Sequence, residues 1–352
     1  MEEITLHKIA MIGFGGMANW HYNKIQTIDS LEVAGIWDIK EERREYAKSK
    51  QIHVYDGLED LLADKQTDLV LVATPNDVHK ELTIAALEAG KNVVCEKPVT
   101  LCSADLQEMR DVAEKTGKFF TVHQNRRWDG DFLTVKKILE EGKLGEVFRI
   151  ESRVHGSRGI PGDWRQEKEK GGGMVLDWGV HLLDQILLLF ADVPLKKVYA
   201  SITQVTNQLV DDGFTTDLIF ENGVHVLVEV GTSNFVELPR WYVLGSEGTA
   251  VIQDWKLNGK IVRACGNDEK DVVPVITAAG LTKTMAPRRE DSIHMEELPK
   301  VTSDIREFYQ NVMAVLEGRE TSRIQLNEVA RVMRLMEAIF ESAKKEEVVL
   351  FE

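Results

Sequence analysis

The chain has 352 residues, of which 43% are hydrophobic and 29% charged, a composition typical of globular proteins with enough length for two domains. Its 43 Lys and Arg residues against 58 Asp and Glu residues give a charge of −15, which argues against a nucleic-acid partner because an acidic surface repels phosphates. The three scattered cysteines have no CxxC spacing, so they indicate neither a disulfide framework nor a zinc site.

Short apolar runs alternate with helix-like segments over residues 1 to 125. The strand-like runs are 8–12, 31–37, 68–73, 92–95 and 119–123. The helix-like segments are 17–28, 40–50, 78–89 and 103–116. This alternation is typical of βαβ units, so it predicts an α/β domain with a parallel sheet.

The pattern changes near residue 145. Runs with strand character follow at 147–155, 197–205, 214–220, 224–230, 241–244 and 250–254. Asn222 and Gly223 predict a tight hairpin turn, because both residue types tolerate a positive φ. These runs predict an antiparallel sheet, with one helix at 174–190 and two late helices whose apolar stripes contain Phe308 and Met333. The segment 266–299 has no clear period and is expected to be a lid-like loop or an oligomer contact.

No segment predicts a signal peptide or a membrane span. The first residues, Met-Glu-Glu-Ile-Thr, are acidic and lack an apolar core. The longest strongly apolar run, 186–191, is far too short to cross a bilayer. We therefore expect a cytoplasmic protein without a membrane partner.

The first strand-like run leads directly into the motif G-x-G-x-x-A, whose small residues are Gly13, Gly15 and Ala18. In dinucleotide-binding loops, the first glycine permits a tight turn and the second lets the backbone approach a pyrophosphate. The free N–H groups of the following helix attract the anion. A glycine turn that binds another ligand, or none, is the alternative. The predicted cofactor-binding residues here are Gly13, Phe14, Gly15, Gly16 and Met17.

Asp38 ends the second strand-like run, about 20 residues beyond this motif, where an acidic side chain typically binds the ribose diol of a dinucleotide. A carboxylate there repels a 2′-phosphate, so we predict NAD as the cofactor. Lys40, Arg43 and Arg44 lie nearby and keep NADP as the less favoured alternative.

Polar residues also follow two other runs, at the edge where open parallel sheets bind ligands. We expect them near the nicotinamide half of the dinucleotide. A simple turn is the alternative for the Thr-Pro-Asn segment, and a solvated surface lysine is the alternative for Lys97. The residues are Thr74, Pro75, Asn76, His79, Glu96 and Lys97.

Three glycines at 171–173 open a stretch in which Asp177 and His181 lie four residues apart, and therefore on one helical face. His181 is suited to proton transfer because a histidine has a pKa near ~6.5, and Asp184 could orient its ring. A core histidine is the alternative, but so flexible a glycine run is costly unless the backbone passes close to a ligand. A metal site is ranked low because no third ligand recurs at suitable spacing.

Two further clusters combine arginine with tryptophan, at 123–128 and 158–165. The first follows the last strand-like run of the parallel sheet, so it faces the same crevice. Such residues could cover a nicotinamide or bind sugar hydroxyls, and packing between domains is the alternative. The residues that we select are His123, Asn125, Arg127, Arg158, Trp164 and Arg165.

Taken together, the motifs resemble the glucose–fructose oxidoreductase / inositol dehydrogenase (Gfo/Idh/MocA) family along nearly the whole chain. The resemblance rests on residues 13–18, 73–76, 96–98, 163–165 and 171–181. It implies an N-terminal Rossmann NAD-binding domain over 1–125 and a C-terminal α/β domain over 126–352 with a largely antiparallel open sheet. The final helix and tail are expected to pack back on the N-terminal domain. A dimer or tetramer that assembles through the C-terminal sheet is also implied.

The resemblance further implies catalytic roles for Lys97, Asp177 and His181. His181 would take a hydroxyl proton while Asp177 holds it, and Lys97 would stabilise the alkoxide. We expect an NAD(H)-dependent oxidoreductase that interconverts a secondary ring hydroxyl of a sugar, glycoside or cyclitol with the ketone. Residues 126–128 and 171–173 are most similar to scyllo-inositol dehydrogenases. An NAD-dependent glycoside-cleaving enzyme and a non-enzymatic NAD- or sugar-sensing regulator are the alternatives. The expected substrate-binding residues are Lys97, His123, Asn125, Arg127, Arg158, Trp164, Asp177 and His181, and cofactor contacts extend to Trp164 and Arg165.

Overall fold

The computed structural model describes residues 5–265 and 272–351, and it confirms the predicted α/β fold with two main sheets. A parallel sheet of five strands is formed within residues 7–122. A mostly antiparallel sheet of nine strands is formed within residues 147–350.

The parallel sheet is built as the alternating pattern predicts. Its strands are β1 (His7–Ile12), β2 (Leu31–Trp37), β3 (Leu69–Val72), β4 (Asn92–Cys95) and β5 (Phe120–Val122). They lie in the order β2-β1-β3-β4-β5 and pair in parallel throughout. All four residues of β3 are buried, as in a sheet that is covered on both faces. The carboxyl ends of all five strands therefore meet at one edge.

Helices connect these strands. They are α1 (Gly16–Ile25), α2 (Glu41–Ser49), α3 (Leu58–Ala63), α4 (His79–Glu88) and α5 (Ser103–Thr116). Four of them match predicted helices to within a few residues. Helix α3 is not predicted from the sequence, because its six residues are too few to show a helical period.

The second sheet takes its strands from the rest of the chain. This part of the chain contains the strands β6 (Val147–His155), β7 (Leu195–Thr203), β8 (Gly213–Phe220), β9 (His225–Gly231), β10 (Trp241–Gly245), β11 (Gly248–Ile252), β12 (Gly259–Ala264), β13 (Val275–Thr277), β14 (Gly280–Thr282), β15 (Ile293–Glu296) and β16 (Val349–Leu350). Strands β13 and β14 form a separate two-stranded hairpin, and the other nine form the second sheet. The order is β15-β12-β11-β10-β6-β9-β8-β7-β16. Only the β6–β9 pair in this sheet of described strands is parallel. The predicted hairpin at Asn222 and Gly223 joins β8 to β9.

Four helices accompany this sheet in the described ranges. They are α6 (Gly130–Glu140), α7 (Val180–Leu189), α8 (Arg306–Leu316) and α9 (Leu326–Lys345). The helix predicted over 174–190 is divided into a π turn at Val175–Gly179 and α7. We did not predict α6, although Phe132, Val135 and Ile138 form a buried apolar stripe on it.

The late helices contact both halves of the chain. Helix α9 packs against α5 and β5 as well as against α7 and β7. Ser103, at the start of α5, donates from its backbone N–H and its hydroxyl to the Glu337 carboxylate of α9, at 2.7 and 2.8 Å. The tail behaves differently, because β16 pairs with β7 of the second sheet. The domain boundary at 125 stays a prediction.

The segment 266–299 is only partly a loop. Residues 266–271 lie outside the described residues. Beyond them, β13 and β14 form a hairpin, and β15 pairs with β12 at the end of the second sheet. Strands of three or four residues are too short to show a period of two, so the sequence does not reveal them.

One helical stretch, Lys168–Leu189, is long and apolar enough to cross a membrane by length and composition alone. Its most apolar window is 83% buried inside the protein. Such burial is that of a core helix.

Candidate active site

The loop after β1 has the geometry that its glycines predict. Gly13 has a φ of +89°, and a Cβ there would lie 2.6 Å from the carbonyl oxygen of Ala73, so the position favours glycine. A Cβ on Gly15 or Gly16 would have no described heavy atom within 4 Å. The start of α1 is therefore open, and its positive helix end can accept an anionic group.

Asp38 follows β2, and its carboxylate lies against this loop. Oδ2 accepts the N–H of Phe14 at 2.7 Å, and Oδ1 accepts the N–H of Lys40 at 2.8 Å. These two backbone donors fix the carboxylate and leave each oxygen with a further lone pair for a ligand. The guanidinium of Arg44 donates to the Asp38 carbonyl oxygen at 2.8 Å, so a cation also lies close by.

Lys97 follows β4 and reaches the second half of the chain. Its Nζ donates to the carbonyl oxygen of Asp177 at 3.0 Å and to Oδ1 of the same residue at 3.2 Å. The other carboxylate oxygen accepts from Nε of Arg165 at 3.0 Å. Burial alone would raise the pKa of Asp177, but the charges of Lys97 and Arg165 hold it below its ordinary value. An ionised Asp177 thus anchors the ammonium group and leaves one of its three N–H groups for a ligand.

His181 lies in the first turn of α7, directly after the π turn. Such turns are frequent at functional sites. The imidazole is buried, and its Nδ1 has no hydrogen-bond partner in the described part of the chain. Burial, followed by the positive charges of Lys97 and Arg126, lowers the pKa of His181 well below its ordinary value of 6.5. The ring is therefore neutral at neutral pH and able to accept a proton.

One cavity of about 770 Å³ brings these groups together. It extends from Met17, at the start of α1, to Lys97, Asp177 and His181. The arrangement places a cation and a neutral imidazole in one crevice with a loop of dinucleotide-binding geometry. The predicted residues that line the cavity are Met17, Lys97, Asn125, Arg158, Arg165, Asp177 and His181.

Comparison with known families gives the same assignment for both halves of the chain. Residues 7–124 match the family described as "Oxidoreductase family, NAD-binding Rossmann fold", and residues 132–251 match the "GFO/IDH/MocA C-terminal domain". The chain belongs to the Gfo/Idh/MocA oxidoreductase family. The resemblance inferred from the sequence motifs is thereby confirmed, as is the fold that it implies.

A solved structure of an NAD-binding protein from Listeria innocua is similar to the whole chain. It is 49% identical, with a TM-score of 0.95, and covers 99% of this chain and 100% of that chain. The uncharacterized oxidoreductase YdgJ of Escherichia coli (strain K12) is 31% identical over 96% of each chain. The match to the uncharacterized oxidoreductase C115.03 of Schizosaccharomyces pombe is 41% identical, and it spans about half of that relative, 52% of each chain.

Some relatives have names that state a substrate. The scyllo-inositol 2-dehydrogenase (NADP(+)) IolW of Bacillus subtilis (strain 168) is 26% identical over 100% of this chain and 98% of its own. The D-glucoside 3-dehydrogenase of Escherichia coli (strain K12) is 31% identical over 55% of this chain and 56% of its own.

Several residues that we expect to contact the cofactor or the substrate have side chains buried inside the protein. The carboxylate of Glu96 is hydrogen-bonded to His21 and His123, and both imidazoles are fully buried. Neither side chain lines the cavity, and the predicted contacts of Glu96 with the cofactor and of His123 with the substrate stay predictions. The side chain of Phe14 is also buried in the core, so only its backbone is available for a contact with the cofactor.

The residues after β3 serve mainly to hold loops together. The ring nitrogens of His79 contact the carbonyl oxygens of Pro98 and Thr74 at 3.0 and 2.9 Å. Asn76 is buried and donates from Nδ2 to the carbonyl oxygen of Gly171 at 3.2 Å. The cofactor contacts predicted for the segment 74–76 and for His79 stay predictions.

Of the two adjacent arginines after β5, one is buried in an ion pair and the other lines the cavity. Arg127 is buried and forms two hydrogen bonds with Asp184, at 2.8 and 2.6 Å, and one with Glu328 at 2.8 Å. Asp184 is therefore bonded to Arg127 and, among the described contacts, not to the imidazole of His181. Arg127 does not line the cavity, and its contact with the substrate stays a prediction. Arg126, which the selection omitted, lines the cavity and lies 4.2 Å from the ring centroid of Trp178. Spacing alone cannot tell which of two neighbouring arginines faces inward.

The glycine run at 171–173 also has a different reason from the one predicted. Gly173 has a φ of +102°, and a Cβ there would collide with the carboxylate of Asp211. That carboxylate accepts the N–H of Val175 at 2.8 Å, and burial raises the pKa of Asp211 to about 6. The glycines therefore accommodate the protein's own packing, and they are no evidence for a ligand. Trp164, whose ring lies 4.6 Å from the Arg165 guanidinium, stays a predicted contact.

Proposed function

We propose that the protein is an NAD(H)-dependent oxidoreductase that interconverts a secondary ring hydroxyl of a sugar, glycoside or cyclitol with the corresponding ketone. The observation that carries the proposal is the convergence of Lys97, Asp177 and His181 on the cavity that begins at the dinucleotide loop. The names of IolW and of the D-glucoside dehydrogenase support this substrate class.

The described residues fit a dinucleotide. The open start of α1 suits its pyrophosphate, and the fixed carboxylate of Asp38 suits a ribose diol. We infer that NAD is preferred, because a 2′-phosphate would meet the negative charge of Asp38. Arg44 is the nearby cation that could offset this repulsion, and IolW is named for NADP(+). The bound dinucleotide would supply the hydride acceptor or donor.

His181 would act as the general base for oxidation. Its lowered pKa keeps the ring neutral, so it can take the hydroxyl proton as the C–H bond breaks. Lys97 would donate its remaining N–H to the same oxygen and stabilise the negative charge that develops there. Asp177 is not hydrogen-bonded to His181 among the described contacts, so its role is to hold Lys97 and Arg165 rather than the imidazole.

Cofactor reduction at 340 nm tests the proposal with a panel of myo-inositol, scyllo-inositol, D-glucose and methyl β-D-glucopyranoside, each with NAD⁺ and NADP⁺. At least one ring polyol should give net NADH. H181N, a near-isosteric variant, should lose turnover while its affinity for NAD⁺ stays close to that of the wild type. Release of a free sugar from the glucoside without net NADH would instead favour the glycoside-cleaving alternative. Binding of NAD⁺ without turnover of any probe would favour the regulator.

The cofactor preference has its own test. D38N removes the charge but keeps the shape of the side chain, and it should lower the ratio of the dissociation constant for NADP⁺ to that for NAD⁺. R44M is the matched control, and it should raise that ratio, since it removes the neighbouring cation. A wild-type protein that binds NADP⁺ more tightly than NAD⁺ would contradict the preference.

We also propose a homo-oligomer that assembles through the second sheet. On its strand β7, Tyr199 is 45% exposed, while the neighbouring Val198 and Ala200 are buried. Light scattering coupled to size-exclusion chromatography should show a dimer or tetramer, and Y199E should shift it toward the monomer. A monomeric wild-type protein at high concentration would refute this.

A further inference from the structure

Four buried polar side chains next to Lys97 form a hydrogen-bonded chain that the proposed mechanism does not use. Oε1 of Glu96, at the end of β4, accepts from Nε2 of His21 at 2.6 Å and from Nδ1 of His123 at 2.8 Å. The hydroxyl of Tyr309 donates to Nδ1 of His21 at 2.6 Å. Helices α1 and α8 and the end of β5 therefore meet at one carboxylate.

The hydrogen-bond partners and the directions of the pKa shifts indicate where the protons of the group lie. Burial, followed by the nearby His123 ring, lowers the pKa of His21 to about 4, so its ring is neutral at pH 7. The single proton of that ring is then on Nε2, facing Glu96, and Nδ1 accepts from Tyr309. Burial alone would raise the pKa of Glu96, but His123 and His21 together hold it well below its ordinary value. Glu96 is therefore an ionised carboxylate inside the protein.

Aromatic rings enclose this carboxylate and its partners. The ring centroid of His123 lies 5.8 Å from that of Trp20 and 4.7 Å from that of Phe308. An ionised group is unfavourable in such surroundings unless its oxygens are hydrogen-bonded. Both oxygens of Glu96 are, because Oε2 accepts the backbone N–H of Lys97 at 3.1 Å.

A bound metal ion does not explain the cluster as well. The donor atoms of His21, Glu96 and His123 lie within 4.8 Å of one another, as three ligands of one ion would. However, both imidazole nitrogens are directly hydrogen-bonded to the same carboxylate oxygen, so they are aimed at that oxygen and not at a shared space. Hydrogen bonding accounts for the arrangement without an ion.

The carboxylate acts on the proposed catalytic groups in two ways. It binds the backbone of Lys97, whose side chain is hydrogen-bonded to Asp177. Its negative charge also reaches His181, where it opposes the lowering of the pKa by burial and by Lys97, Arg126 and His123.

We propose that Glu96 is a positioning residue for the reaction proposed above, on which this inference rests. Its carboxylate ties the turn that carries Lys97 to α1 and α8. Its fixed negative charge offsets part of the positive potential at His181. Its side chain acts through Lys97 and His181, not through a contact of its own with the substrate or the cofactor.

The first test is E96Q, which removes the charge and keeps the volume. Nitrogen-15 NMR of labelled histidines, with His181 assigned through H181N, measures the protonated fraction of His181 in a titration from pH 7 down to pH 4 and needs no substrate. That fraction should be lower in E96Q than in the wild type. Y309F is the matched control, because it removes the outermost hydrogen bond and keeps the three at the carboxylate, so it should match the wild type. Equal fractions in E96Q and the wild type overturn the electrostatic part of the proposal.

The second test measures positioning with the best ring polyol of the panel. In E96Q, kcat should fall about 10- to 100-fold, because a small displacement of a reacting group can cost up to about 100-fold, while the KM for NAD⁺ changes by less than about 3-fold. E96D, which keeps the charge but shortens the side chain, should lose kcat while the protonated fraction of His181 stays at the wild-type value, and it serves in place of E96Q if that variant does not fold. Lower thermal stability with unchanged kcat would show a purely structural role. The NMR titration uses no substrate, so it tests the effect of Glu96 on His181 even if the protein turns over no ring polyol.

Discussion

Replacing Lys97 by methionine tests the proposed alkoxide stabilisation most simply. The Lys97 side chain is only 13% exposed, so its charge acts in a poorly solvated site. Loss of one donor to a developing oxyanion typically costs about 10²- to 10³-fold in kcat, or about 3–4 kcal/mol of transition-state stabilisation. We therefore expect K97M to lower kcat by about that factor.

Folding and cofactor affinity should change much less in K97M. Asp177 keeps its hydrogen bond to Arg165 at 3.0 Å, so its carboxylate is not left without a partner. Stopped-flow absorbance at 340 nm measures hydride transfer, and fluorescence titration measures NAD⁺ binding. K97R, which retains the charge, is the control and should keep more activity than K97M. If the kcat of K97M were within about 3-fold of the wild-type value, Lys97 would not be the residue that stabilises the alkoxide.

Three further predictions concern pH, packing and the two arginines. Folding lowers the pKa values of His181 and His21, so below the ordinary value of 6.5 the unfolded state binds more protons than the folded state. The free energy of unfolding should therefore decrease as the pH falls from 6.5 toward 4. Urea titrations that show constant stability over this range would contradict this prediction. G173A should lower the free energy of unfolding by at least about 2 kcal/mol, because its Cβ would collide with Asp211 at a positive φ, and a loss below about 0.5 kcal/mol would be inconsistent with that contact. R127M breaks a buried ion pair with Asp184 and should cost about 3–5 kcal/mol of stability, whereas R126M should mainly raise the KM for the sugar; the opposite pattern in urea unfolding and kinetics would reverse the assignment of the two arginines.

The parallel half of the fold could be predicted because local patterns determine it. Each of its strands is a short apolar run next to a helix, and the glycine motif marks the first crossover. The same topology brings strand ends together, which is why Lys97 and Met17 could be expected in one crevice. The four-residue spacing of Asp177 and His181 predicts a shared face, and both line that crevice, although Asp177 lies in the π turn and His181 on α7.

The remaining features depend on contacts between distant parts of the chain. The burial of Glu96 requires His21, 75 residues earlier, and Tyr309, which lies on α8. Nothing in the residues around Glu96 shows that its carboxylate points inward. Likewise, the packing of Gly173 against Asp211 is invisible in the sequence, so its glycine could be attributed to a ligand.

Deuterium transfer tests the central claim most directly, because it follows the hydrogen itself from a ring carbon to the cofactor. The protein would be incubated with NAD⁺ and ring-deuterated scyllo-inositol, D-glucose or methyl β-D-glucopyranoside, and the reduced cofactor would be analysed by mass spectrometry. We predict that NADH from the wild-type protein gains one mass unit with at least one probe, and that K97M and H181N give little or none. A wild-type protein that binds NAD⁺ and yet transfers deuterium from none of these ring polyols would contradict the claim that Lys97 and His181 act on a ring hydroxyl beside the cofactor.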